Sequence, residues 1–365
     1  MKEDNSVFNS FKKAQKQDWI KAASAELKGA DPFETLQWKT EDEQVIAPFH
    51  MADDVAAIAY LKHYQHHNFA HPSDTRYWAN MPEISFNDEK TGNAIALHHL
   101  QAEADGIVLS PEKQELDFDV LLHNIAWEHC SVSFMTGPHF PFEKLYDYIQ
   151  QKGYAVDQIN GAIFQQENNL VTNGFATLKN FKFAGSIIPS STPVQEITQA
   201  ILAGVNRIEA YHQSGILPGV LIKHIAFNIP LGTYLLPDIS KLKALRILWY
   251  QVSQAYGVKD YHPNDLYIHG RSEPWINNQY QPHGNMLKST MASIAGIAGG
   301  CDALTIHPED DSSSMMNRVA RNISPILREE SHLNKVSDPF AGSYSIEILT
   351  DQIARDAWRN FQSLC

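Results

Sequence analysis

Cysteine is scarce in this chain of 365 residues: Cys130, Cys301 and Cys365, with no CxxC spacing among them. That excludes a disulfide framework or a thiolate metal site as organising device, and no metal is expected. Cys130 and Cys301 lie in strand-like runs and read as buried thiols. Positive charge is also short, with 29 Lys and Arg against 42 Asp and Glu and a formal charge of −13. No basic cluster could neutralise a phosphate backbone, so nucleic acid is not an expected partner. No apolar run approaches the ~18 residues of a membrane span, which argues against a membrane partner. Met1-Lys2-Glu3-Asp4-Asn5-Ser6 lacks the apolar core of a secretory leader, so the expected location is cytoplasmic.

What the chain does have is a regular alternation of strand and helix. It is clearest from Asp265 to Pro308. Leu266-Tyr267-Ile268-His269 is rich in strand formers and breaks into the polar loop Gly270-Arg271-Ser272-Glu273-Pro274-Trp275. Leu287, Met291, Ile294 and Ala298 then fall on one helical stripe, expected to be the buried face. Gly299-Gly300 ends the helix, and Cys301 to Ile306 reads as a second strand running into His307-Pro308-Glu309-Asp310. Two parallel strands joined by such a helix make a right-handed βαβ unit.

The same beat starts near Tyr77. Strands are expected at Glu83–Phe86, Gly106–Leu109 (broken by Ser110-Pro111), Ser131–Met135, Gln158–Phe164, Phe181–Ile188 and Leu221–Asn228. Helices are expected over 89–102, around Phe118 to Ile125, around Phe142 to Ile149, after Thr192-Pro193, through Leu235 to Val252, and from Met315 to Ile326. Thr192 is placed as N-cap, Pro193 as first helical residue and Gln195 as capping-box partner. Only 165–180 is irregular. Eight beats over roughly 250 residues fit a (β/α)8 barrel, and no GxGxxG follows the first strand to favour an open doubly wound sheet. Ahead of the barrel, Phe8, Phe11, Trp19, Ile20, Ala23 and Leu27 suit an amphipathic helix, and Leu36–Thr40 with Gln44–Phe49 a hairpin. This extension either covers the barrel or meets a partner subunit.

Barrels of this kind carry their chemistry on loops after the strands. There the candidates are His269, Arg271, Glu273, His307 and Glu309. Charged groups at a barrel mouth commonly pair with one another, so a polar plug is the plainer reading beside a working site. His63, His66 and His67 have metal-like helical spacing, but a solvated face explains them without a metal. His98, His99, His123 and His129 read as surface or satisfied histidines. Lys288-Ser289-Thr290 ends like a phosphate-binding loop but lacks the glycines and lies inside a helix.

Near the end, Asp338-Pro339-Phe340-Ala341-Gly342-Ser343-Tyr344-Ser345-Ile346-Glu347-Ile348-Leu349-Thr350 resembles the DPxxGSYxxExLT signature of the methylmalonyl-CoA mutase family, continued by Ala354 and Trp358. Lys243 to Trp249 and Pro282 to Thr305, with its NxLxxT and GGCDxLT patterns, resemble the same family. The resemblance implies a TIM barrel and a link to adenosylcobalamin-dependent acyl-CoA rearrangement. It also implies departures from the catalytic chains. Where those carry Gly-Tyr-His-Met after the fifth strand, this chain has Gly185-Ser186-Ile187-Ile188; where they carry His-Ser-Gln, it has His269-Gly270-Arg271. Their arginine-bearing loop after strand four is not recognisable in Gln165 to Thr172. The cobalamin-binding DxHxxG is approached only by Asp260-Tyr261-His262, which precedes strand seven.

The resemblance therefore points to the small, non-catalytic (beta) subunit of a heterodimeric mutase, as a barrel without the cobalamin-binding domain. It implies no catalytic or cofactor-binding residues of its own, adenosylcobalamin held by a catalytic large subunit, and a homodimer when made alone. The division expected is an N-terminal extension over 1–75, the barrel over 76–335 and a C-terminal helix after the signature over 336–365. An active mutase barrel using a separate cobalamin domain, and a homologue with another small-molecule role, remain as alternatives. Catalytic chains of the family thread the acyl-CoA arm along the barrel axis. Here Ile107, Leu109, Phe134, Ile163, Phe164, Phe183, Phe227, Ile229, Tyr267, Ile268 and Ile306 are available, and alternation sends about half of them inward.

Overall fold

One short stretch of chain closes the sheet. The computed structural model describes residues 14–40, 44–63, 76–137, 139–166, 169–171, 173–274 and 284–364. In it Ala79–Asn80 runs parallel to Ala303–Thr305, while Glu83–Phe86 runs parallel to Gly106–Pro111. The two pieces act as one strand, β1, interrupted at Met81-Pro82, where proline has no N–H to give a ladder. β2 (Gly106–Pro111), β3 (Ser131–Thr136), β4 (Gly161–Gln165), β5 (Phe181–Ile187), β6 (Ile225–Leu231), β7 (Tyr267–Ser272) and β8 (Ala303–Thr305) each pair in parallel with the next. A first strand bonded to both the second and the eighth leaves no edge, so this is the closed (β/α)8 barrel expected.

The helices are α1 (Glu89–Gln101), α2 (Phe118–Leu121), α3 (Phe142–Lys152), α4 (Pro193–Gln213), α5 (Leu235–Ala255), α6 (Gly284–Gly299), α7 (Ser314–Glu329) and α8 (Tyr344–Leu364). Their starts are written locally. Asp88 accepts from the Thr91 N–H at 2.8 Å, and Thr192 accepts from the Gln195 N–H at 3.4 Å. Gln195 does not complete a capping box, because its carbonyl accepts from the Ser191 hydroxyl instead. Gly153, at φ 70°, takes the left-handed conformation that ends α3.

Several boundaries differ from the sequence reading. β2 continues through Ser110-Pro111, α2 is a single turn, and Asn173–Thr177 forms a 3-10 turn after β4. β6 begins only at Ile225, because Pro218–Leu221 and Ile222–His224 form helical turns first. α6 departs from the expected face in its first half. Leu287 is 73% exposed and Met291 is also exposed, whereas Ile294 packs against the core and Ala298 is buried as expected, beside Ser289, Ala292, Ser293, Gly296 and Gly299. A Cβ on Gly296 would lie 2.7 Å from Leu231 Cδ1, and one on Gly299 3.1 Å from Ile239 Cα. The helix packs so closely that most of its inward residues are small, with Ile297 the one large apolar side chain it buries outright.

The main core lies between the sheet and its helices, and a second, smaller cluster fills the lumen. α8 lies over α4 and α5, burying Ile346, Leu349, Ile353, Ala357 and Phe361. The described part of the N-terminal extension has its helix at Lys16–Glu26 and an antiparallel hairpin of Trp38–Lys39 with Val45–Ile46. Its helix buries no residue outright; Trp19 stacks on Phe49 at 4.6 Å. The extension leans on α8, where the Tyr60 hydroxyl donates to Glu347. Phe8 and Phe11 lie outside the described residues, as do His66, His67, Cys365 and the side chain of His63.

Candidate functional site at the barrel mouth

The C-terminal ends of β1, β7 and β8 bring charge together. Strand alternation turns Glu83, His269 and Arg271 inward, and His307 follows β8 by two residues. The Glu83 carboxylate lies 3.4 Å from His307 Nε2 and 3.7 Å from an Arg271 guanidinium nitrogen. His307 is itself anchored: its Nδ1 lies 2.6 Å from the Ser272 carbonyl, and its N–H donates to Ser272 Oγ at 2.9 Å. Burial alone would raise the Glu83 carboxyl, but bonding to His307 and the charges of His307 and Arg271 hold it below its ordinary range. Glu83 was not among the sequence candidates. Its signal is a lone acid in a strand whose neighbours alternate apolar and polar, which looks like any solvent-facing position.

Of the five candidates, then, Arg271 and His307 meet through Glu83. His269 sits a layer lower and is fully buried. Thr305 Oγ1 donates to the Met81 carbonyl at 2.6 Å, so it receives the His269 Nε2–H at 2.7 Å, which leaves Nδ1 bare and without a partner among the described residues. Burial pulls His269 down to about 3, and it is neutral at pH 7. Glu273 and Glu309 stand on the loops above, each half-buried, with Glu309 turned toward the seam of α6 and α7. The arrangement is a charge-compensated plug. Among the described residues no hydroxyl or thiol nucleophile is paired with a base in it, and its central carboxylate is engaged by two neighbours.

Below the plug, the lumen is lined by Met81, Val108, Ser133, Ala162, Phe164, Ala226, Asn228, His269, Ala303 and Thr305, none more than 1% exposed. A channel even one water wide would expose them, so at this level the axis is filled. The side chains that fill it differ from those expected. Only Phe164 and Tyr267 of the eleven large residues named above point in; the other nine pack outward against the helices. Here most of the inward positions carry small side chains, and the bulky ones pack in the outer layer between sheet and helices. Ile187, at the end of β5, packs with the inner cluster, so the position that the resemblance sets against a histidine is inward-facing and apolar here. These residues do not fit the cradle of a reactive cofactor and thioester.

The sequence motifs meet elsewhere. Lys243, on α5, holds Asp338 at 2.7 Å and Glu347 at 3.6 Å. Three residues on, Arg246 bonds Asp302 at 2.8 Å and the Gly300, Pro263 and Leu266 carbonyls. Asp302 in turn accepts from the Ile268 N–H at 2.8 Å. The DPxxGSYxxE, LKALR and GGCD patterns are thus three parts of one network on the outside and N-terminal end of the barrel, where side chains stabilise and do not react. Asp260, in the same region, is tied to Lys223 at 2.6 Å and precedes β7, far along the chain from any mouth loop. Cys130 and Cys301 are free thiols, raised by burial to about 11 and about 12; Cys301 is fully buried and Cys130 half-buried.

Fold and site together define an α/β barrel whose mouth is self-paired and whose axis is filled. The chain belongs to the methylmalonyl-CoA mutase family: the family model described as methylmalonyl-CoA mutase matches residues 180–364. It is 26% identical over 415 residues to the methylmalonyl-CoA mutase small subunit of Porphyromonas gingivalis, an alignment covering 100% of this chain and 65% of that one. With the small subunit of Streptomyces virginiae it shares 33% identity over 178 residues, 48% of this chain and 29% of that one. The chain thus spans less than two thirds of these relatives' length. Among solved structures, dihydropteroate synthase from Stenotrophomonas maltophilia aligns with a TM-score of 0.38 at 11% identity, covering 68% of this chain and 92% of that one.

Proposed function

We propose that this chain is the barrel of a non-catalytic small subunit in a heterodimeric, adenosylcobalamin-dependent methylmalonyl-CoA mutase of the cytoplasm, the interconversion with succinyl-CoA being carried out by the partner chain. The observation that carries this reading is the filled lumen with Ile187 turned into it. Mutase chemistry requires cofactor and thioester to be held together in a closed, water-free site with polar groups aimed at the reacting carbonyl. An apolar side chain at the end of β5 and a plugged mouth offer neither space nor donor. The similarity to relatives named small subunits supports a role as structural partner. Adenosylcobalamin is then held by the large subunit, and this barrel contributes stability to the pair.

The test is to purify the chain alone and co-expressed with a catalytic large subunit, and to follow both by size exclusion and by visible-spectrum titration with adenosylcobalamin. Co-elution of the two chains, with the cofactor spectrum changing only when the large subunit is present, is the expected result. Stoichiometric cofactor binding by this chain alone, with turnover of methylmalonyl-CoA, would overturn the reading.

A further inference from the structure

Beside the plugged mouth, over the seam where β8 meets β1, a crevice of about 420 Å³ separates α1 from α7. His98 and His99 of α1 line one wall, Asn317 and Arg321 of α7 the other, with Ser312 and Ser314 at the lip. Arg321 decides what the crevice can hold. It is only 8% exposed, yet no Asp or Glu lies within ion-pair distance of it among the described residues, and its Nε has no hydrogen-bond partner there. Its one polar side-chain contact among the described residues is His99 Nδ1 at 3.4 Å. An imidazole carries no negative charge in either protonation state, and burial and the guanidinium pull this one down to about 4, so it accepts a hydrogen bond and does not neutralise the cation. Glu103 acts on this guanidinium only from beyond bonding distance and Arg318 opposes it, so no carboxylate satisfies Arg321 directly and a ligand anion could.

A second feature points the same way. α7 is a helix of 16 residues capped by Ser313, whose Oγ accepts from the Met316 N–H at 3.3 Å. The earlier first-turn N–H groups, of Ser314 and Met315, have no acceptor within the helix and carry its positive end. Arg321, two turns further along α7, lines the same crevice as Ser312 and Ser314 at that first turn. The bordering carboxylates do not fill the space: Glu83 is engaged by Arg271 and His307, and Asp311 lies exposed on the rim.

We propose that this crevice is a binding site for a small oxyanion, a phosphate monoester or carboxylate, held between Arg321 and the N-terminus of α7. It is separate from the filled lumen and does not depend on the subunit reading. The probe is inorganic phosphate, titrated at constant ionic strength against chloride and followed by calorimetry and by thermal unfolding. Wild type should bind saturably and gain Tm, and Arg321→Gln should bind at least about 10-fold more weakly, the worth of a charge-assisted hydrogen bond. Because Arg321 is buried, that variant is paired with Ser314→Asp. An acidic residue in the first turn favours the exposed start of the helix, so this variant should keep or raise Tm without phosphate while its carboxylate at the lip weakens phosphate at least about 10-fold. A phosphate effect no larger than that of chloride, or undiminished binding by Ser314→Asp, would overturn the proposal.

Discussion

His269 shows how one residue can keep its place and lose its chemistry. It projects into the barrel from β7, where a catalytic imidazole could sit, but its Nε2–H is fixed on Thr305 and burial holds it near 3. In the unfolded chain its pKa returns to the ordinary 6.5. The folded value is the lower one, so the unfolded state binds the extra proton; the stabilisation is complete above about pH 6.5 and is lost as pH falls toward 3. His99 and His224, both pulled to about 4 chiefly by burial, act with the same sign. Acid unfolding should therefore begin while the carboxylates are still ionised. His269→Gln removes one such proton, so between pH 6 and 4.5 its urea-derived stability should fall less steeply than wild type, by up to about 1.4 kcal/mol per pH unit. Parallel slopes would show that His269 is not held neutral by the fold.

Among the elements, α5 does the most joining. Its buried residues cover almost every turn, including the cations Lys241, Lys243 and Arg246. Lys241 bonds Glu196 of α4 at 2.7 Å and Asp238 of its own helix at 2.5 Å; burial would lower it, but the two carboxylates raise it well above its ordinary value. Lys243 reaches the other way, to the loop before α8 through Asp338 and to α8 itself through Glu347. The Gly342 N–H also donates to Glu347, at 2.9 Å, so the signature loop is folded around one carboxylate. Lys243→Met removes the cation and leaves two nearly buried carboxylates facing each other. Breaking one side of a buried ion pair costs about 3–5 kcal/mol. We expect a loss of that size in chemical unfolding, with early protease cleavage in the loop before α8. A loss below about 1 kcal/mol would mean that the network is ornamental.

For the molecule as a whole, closure of the barrel and filling of its axis go together. Ile187→His places an imidazole at an inward position against the apolar cluster of the lumen. A hydrogen-bonding or general-acid imidazole contributes about 10²–10⁴-fold where substrate is already in place. Here Phe164, Met81 and His269 are fully buried across the axis, and an acyl-CoA arm has no route to the new side chain. The variant should show no turnover of methylmalonyl-CoA with adenosylcobalamin, with or without an added cobalamin-binding domain. Turnover in this single variant would mean that the site is nearly intact and that the non-catalytic reading is wrong.

The sequence by itself determined the barrel, because parallel strands and their helices are specified by short-range pattern: β-formers ending in loop residues, Asp88 and Thr192 at helix starts, Gly153 at a helix end. It also carried the family, since the motifs recur with their spacing. What those motifs do was decided in three dimensions, where Lys243, Asp338 and Glu347, separated along the chain, converge on one network. The faces of the strands were likewise undetermined. A barrel strand is buried on both sides, so an apolar run does not say which residues point to the axis, and the large side chains went outward. α6 turned Leu287 and Met291 of its apparent stripe outward for the same kind of reason, because close approach to Leu231 and Ile239 favours small residues on its inner side. Glu83, the centre of the mouth cluster, and Arg321, the unpaired cation of the crevice, look like ordinary polar residues until strand closure brings β1 beside β8 and sets α1 against α7.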